Sequence, residues 1–145
     1  MLILPAANST GRMANAQWGM TKPNLPLVYA CSGCSSAAQM ANDLALRLDR
    51  VGLAEMSCIA GVGGGVATLV RLAQSGRPVL ALDGCRLACV QACLQRVDVT
   101  ADHTLLLSEL GVIKHKHQAY AAQQAEEIWP MLSALANSLA KAPSE

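Results

Sequence analysis

Three times along this chain of 145 residues a short apolar run ends in a turn that carries cysteine and then gives way to a helical pattern. The first run, Leu25-Pro-Leu-Val-Tyr-Ala30, meets Cys31-Ser-Gly-Cys34, after which Ala38, Ala41, Leu44, Ala45 and Leu48 recur at helical spacing up to Gly52. Ser36 with Gln39 predicts a capping box at the start of that helix. The second run, Ala54 to Ala60, contains Cys58 and enters Gly61-Val-Gly-Gly-Gly65; Val66, Leu69, Val70 and Ala73 then mark a helix stopped by Gly76 and Pro78. The third is Pro78 to Leu82, with Asp83-Gly-Cys85 as its turn and Leu87, Val90 and Leu94 as the stripe of the next helix. A fourth strand is expected at His103-Thr-Leu-Leu-Leu107. Strands that alternate with helices require right-handed crossovers, and near-continuous apolar strands are those buried on both sides. The pattern therefore predicts an α/β fold: a Rossmann-like or flavodoxin-like layered sandwich with a mainly parallel four-stranded sheet and helices on both faces.

The ends of the chain are less regular. Residues 1–24 mix Pro, Asn, Ser and Gly with isolated apolar positions and show neither strand nor helix period. They read as an extended N-terminal arm, and residues 25–145 as a single α/β domain. An alanine-rich helical segment is expected from about Gln118 to Ala140, kinked or broken at Pro130, which cannot donate the helical hydrogen bond. The arm and this segment are the candidate surfaces for contact with a second copy.

Composition removes several function classes. Eleven Lys and Arg against ten Asp and Glu leave a net charge of +1, so no basic field points to nucleic acid. No run approaches the roughly 18 apolar residues of a membrane span, and the start lacks the basic and long apolar regions of a secretory signal. A cytoplasmic chain is expected, where closely spaced cysteines more often bind metal or do redox chemistry than form disulfides. Aromatic residues are only 3% and Phe is absent, which disfavours a stacked nucleotide or flavin.

Six cysteines are the compositional excess that needs a chemical explanation. Five of them, Cys31, Cys34, Cys58, Cys85 and Cys89, fall at or just after the C-terminal ends of the first three strands. In a parallel sheet those ends share one edge, so thiols far apart in sequence converge there, as a thiolate metal site requires. Helix N-termini at the same edge favour thiolate over thiol. Cys93, one helical turn beyond Cys89, reads as a packed thiol. Cys34 is either a ligand paired with Cys31 or a spare residue opening the helix.

These motifs, Cys31-Ser-Gly, Cys58-Ile-Ala-Gly-Val-Gly-Gly and Asp83-Gly-Cys85-x-x-x-Cys89, resemble those of the DGC domain family over roughly Leu25 to Lys114. The resemblance implies a zinc-binding protein with four chelating cysteines at Cys31, Cys58, Cys85 and Cys89, and it assigns no biochemical role.

Neighbouring motifs are weaker. Asp83 could be a ligand, an acceptor behind the ligands, a helix cap or plain turn chemistry. The Gly61–Gly65 loop lacks the spacing and partners of a nucleotide-binding loop and reads as a tight connection near the metal edge. His103 opens a strand at the opposite end of the sheet; His115 and His117, in Lys114-His-Lys-His117, read as solvated. No Ser/His/Asp order or paired-carboxylate cluster points to hydrolysis, so the chain is not assigned a reaction. The expected function is zinc binding in a structural, sensing or metal-handling role. An iron–sulfur cluster or thiol redox chemistry on the same cysteines is the alternative.

Overall fold

The four apolar runs pair into one sheet in a computed structural model that describes residues 25–141. Strands β1 (Leu27–Ala30), β2 (Glu55–Met56), β3 (Val79–Asp83) and β4 (His103–Leu106) lie in the order β2-β1-β3-β4, every pair parallel. Between them run the helices α1 (Ser36–Arg50), α2 (Ile59–Gly63), α3 (Ala67–Ala73) and α4 (Cys89–Gln95), and α5 (Ala122–Lys141) follows β4. The arm expected over residues 1–24 lies outside the described residues.

Side chains of a strand alternate between faces, and here both faces are covered. Val28 and Ala30 of β1 and Leu80 and Leu82 of β3 join Met40, Leu44 and Leu48 of α1 and Ile128, Leu132 and Ala136 of α5. On the opposite face Leu27, Tyr29, Val79 and Ala81 pack with Val62 of α2, Ala73 of α3, and Val90 and Leu94 of α4. Each leucine sealed this way contributes about 1.5–3 kcal/mol relative to leaving it in water. Because β1 continues into α1 on one face while β3 continues into α4 on the other, the chain leaves these two neighbouring strands in opposite directions. The crevice between their C-terminal ends is the topological switch point, where open parallel sheets bind ligands.

The opposite edge is held by side chains. The Arg77 guanidinium donates to the Leu25 carbonyl at 2.8 and 3.1 Å and pairs with Glu55 at 2.8 Å, joining the starts of β1 and β2. Asp102 Oδ2 accepts from the Val79 N–H at 2.7 Å while its own N–H donates to the Val79 carbonyl, which sets the register of β4.

Three local expectations are corrected. The N-cap of α1 is Ser35, whose Oγ accepts from the Ala38 N–H at 3.1 Å; Ser36 lies one position inside, its hydroxyl taken by the His115 N–H at 2.9 Å. The second run forms only a two-residue strand, because Cys58 caps α2 and the first three residues of the Gly61–Gly65 stretch are helical. Pro130 neither ends nor starts a helix: α5 runs through it, held by Ile128, Leu132, Ala136 and Leu139 against the sheet. That burial outweighs one missing hydrogen bond.

The chain's two tyrosines report on this packing. Burial pushes the Tyr29 phenol up; the facing Ser57 hydroxyl pulls the other way without closing a normal hydrogen bond. Tyr120 donates to Asp43 Oδ2 at 2.6 Å, and that bond, with burial and the carboxylate charge, pushes it up to about 12. A raised phenol pKa means that the fold favours the protonated form, so this contribution is complete below the ordinary value near 10 and is lost as pH rises through about 12. Alkaline spectrophotometric titration of the folded chain is expected to show no phenolate at the ordinary tyrosine midpoint, with Asp43→Ala restoring one such transition.

Candidate functional site

Asp83, the last residue of β3, is 1% exposed although it is charged, and its geometry explains why burial is tolerated. Its Oδ1 accepts from the Val90 N–H at 2.9 Å, and its Oδ2 faces the Gln91 N–H and Nε2, both at 3.4 Å. A helix N-terminus exposes N–H groups without intrahelical partners, and a carboxylate placed there satisfies them and meets the positive end of the dipole. Asp83 therefore acts as the cap of α4 from a distance. Ala88, the formal N-cap, makes no side-chain bond and sits in the left-handed region at φ 49°. Its tight turn, closed by the Ala88 N–H on the Cys85 carbonyl at 3.0 Å, delivers Cys89 to the first position of α4.

Gly84 follows at the point of closest approach between β3 and α1. A Cβ there would lie 2.6 Å from the Ala37 carbonyl carbon and 2.9 Å from the Ala38 nitrogen, so only glycine fits. The same residue turns its N–H onto Cys31 Sγ at 3.1 Å, while the Cys31 N–H extends the ladder to the Leu82 carbonyl. Burial pushes the Cys31 thiol up, the Gly84 N–H works against this, and the charges of Asp83, Cys89 and Cys85 push it further up. Cys85 and Cys89 thus both act electrostatically on Cys31 at the switch point.

The other cysteines are placed differently. Cys34 is exposed on the loop before α1, and Cys58 is exposed at the start of α2, where its charge acts on Tyr29. Cys93 is half-buried against α2: a Cβ at Gly63 would stand 2.8 Å from its sulfur. All six thiols are free. Among the described residues no three His, Cys, Asp or Glu side chains gather closely enough to enclose a metal ion, so the thiols line an edge rather than a cage. The donor set still suits thiolate ligation, since a bound thiolate is stabilised by main-chain N–H groups such as the one Cys31 already accepts.

Sequence reasoning missed the residue that faces these thiols from the far side of the chain. Lys114 Nζ lies 3.6 Å from Cys85 Sγ. Its segment is pinned to the start of α1 by Ser36, whose N–H donates to the His115 carbonyl and whose Oγ accepts the His115 N–H, both at 2.9 Å. The signal in the sequence is the Lys114-His-Lys-His117 tract, in which the lysine and not a histidine reaches the thiol edge. His115 and His117 are exposed, and His103 begins β4 at the opposite edge.

Two substitutions test this construction. Gly84→Ala forces backbone movement and is expected to cost about 1–3 kcal/mol or more. Asp83→Ala leaves the Val90 N–H buried without an acceptor and is expected to cost about 1–3 kcal/mol, with Asp83→Asn milder because one acceptor oxygen survives. Denaturant unfolding measures both.

Residues 27–132 match the family model of the DGC domain. The chain is also similar to the anaerobic and virulence modulator AnvM of Pseudomonas aeruginosa, 62% identical over 111 residues that cover 77% of this chain and 85% of that one. No solved structure matches it. With the Asp83-Gly84-Cys85 turn at the centre of its switch point, the chain belongs to the DGC domain family.

Proposed function

We propose that this chain is a cytosolic thiolate metal-binding protein that takes zinc at the switch point through Cys31, Cys85 and Cys89, with a fourth sulfur from Cys34 or Cys58. The observation that carries the reading is the Gly84 N–H on Cys31 Sγ, at the spot where Cys85 and Cys89 also act on that sulfur. Main-chain donation holds a ligand in place and offsets the charge of clustered thiolates. Asp83 is spent on α4 and serves by positioning Cys89 rather than as a ligand. Lys114, with Nζ 3.6 Å from Cys85 Sγ, would balance the charge of a metal-bound thiolate there. Zinc bound there supplies a structural tie if four thiolates enclose it, and a Lewis-acidic centre if one position stays open.

The name of the Pseudomonas aeruginosa relative, anaerobic and virulence modulator, favours a regulatory role for this chain over a metabolic one. The same name supports a second reading, an iron–sulfur or thiol redox function of these cysteines, because oxygen supply acts directly on such groups. Metal analysis of protein purified without added metal separates the two. Stoichiometric zinc is expected, lost in Cys85→Ser and Cys89→Ser and retained in Cys93→Ser. A brown, iron-containing anaerobic preparation would establish the second reading, and zinc that survives the paired Cys85→Ser and Cys89→Ser change would overturn the first.

A further inference from the structure

The two most exposed large apolar side chains among the described residues are Leu87 at 72% and Ile113 at 71%. Both belong to the loops that meet at the thiol edge: Leu87 lies between Cys85 and Cys89, and Ile113 immediately precedes Lys114, whose ammonium reaches Cys85. Beside Ile113 opens a recess of about 420 Å³, lined by Met40, Val112, Ile113, His115 and Tyr120 among others. Ser36, Gln118 and Gln124 add polar groups to its wall, so the recess is mixed, with Met40, Val112 and Ile113 as its apolar part; a recess of this kind beside an exposed apolar side chain can seat a partner's anchor residue.

Charge selects the partner. Arg86, Lys114 and Lys116 are exposed on these same two loops, and together they exceed the net +1 of the whole chain. The acidic group between them, Asp83, is buried and bound to α4; Glu109 lies beyond β4 in the 3-10 turn Leu107–Leu110, and the exposed Asp43, at the Tyr120 side of the recess, is engaged by the Tyr120 hydroxyl at 2.6 Å. Residues 1–24 contain Arg12 and Lys22 but no Asp or Glu, so they do not complement this face. A second copy presenting the same face would set cation against cation. We infer that the thiol edge is a docking face for a separate protein, which offers an acidic amphipathic helix with an apolar residue for the recess beside Ile113 and carboxylates for Arg86 and Lys116. Recognition of an apolar anchor flanked by charges is the helix-in-groove mode. The inference rests on the thiol edge being the working face, and it places the partner directly over the proposed metal site.

Fluorescence anisotropy with the full chain tests it, using three labelled probes: a Leu/Glu amphipathic peptide, its Lys-for-Glu counterpart, and a single-stranded oligonucleotide of the acidic peptide's charge. The acidic peptide is expected to bind, to weaken about tenfold in Ile113→Ser and again in the paired Arg86→Glu and Lys116→Glu change. Arg71→Glu on α3 is expected to leave binding unchanged, and the basic peptide not to bind. Failure of the acidic peptide to bind, indifference to Ile113→Ser, equal binding of the oligonucleotide, or self-association through this face would each overturn the inference. Zinc content is measured in the same samples. Loss of the docking response with zinc retained removes only this inference, whereas docking without zinc removes only the metal reading.

Discussion

The close approach of the Gly84 main chain to the first turn of α1 is the contact on which the thiol edge depends. It brings the end of β3 against Ala37 and Ala38, and it aims one N–H at the sulfur that ends β1. Any side chain at position 84 would push the end of β3 off the first turn of α1. One residue earlier the buried Asp83 carboxylate does the complementary task, holding the start of α4, where Cys89 stands, against the end of β3. A two-residue step in the sequence therefore fixes the relation of α1, β1, β3 and α4. Strain at Ala88 is tolerated in this setting because the surrounding contacts over-determine the turn.

The two edges of the sheet are stabilised by different means. At the N-terminal edge Arg77, Glu55 and Asp102 consume their charges in pairing the strand starts. At the C-terminal edge charged and soft groups line the loops: Cys31 under the influence of Cys85 and Cys89, an ammonium beside Cys85, and exposed cations on the flanking loops. Interior packing carries the fold, with aliphatic side chains on both sheet faces, and so leaves the switch-point crevice free for chemistry.

Much of this was legible in the sequence because apolar strands buried on both sides, each followed by a helical stripe, leave few arrangements open. Leu27–Ala30, Val79–Asp83 and His103–Leu106 fall where the apolar runs stand, and the placement of Cys31 after β1 and of Cys85 after β3 at one edge follows from parallel pairing alone. What was not legible depends on tertiary contact. Ser35 rather than Ser36 caps α1 because the Ser36 hydroxyl is taken by the His115 N–H, 79 residues away in the chain. Gly61 and Gly63 are helical because Val62 between them is drawn into the core, overriding their low propensity. Pro130 stays within α5 for the same reason. Lys114 could not be paired with Cys85 by spacing, since only the return of the chain after β4 brings them together.

The central claim is that the sulfurs at the switch point act together as one thiolate site. X-ray absorption at the zinc and iron edges, on protein purified without added metal, measures this most directly. The account predicts zinc in a sulfur-dominated first shell at about 2.3 Å, with the sulfur contribution reduced in Cys85→Ser. A zinc shell of oxygen and nitrogen, unaffected by loss of Cys85, would contradict it.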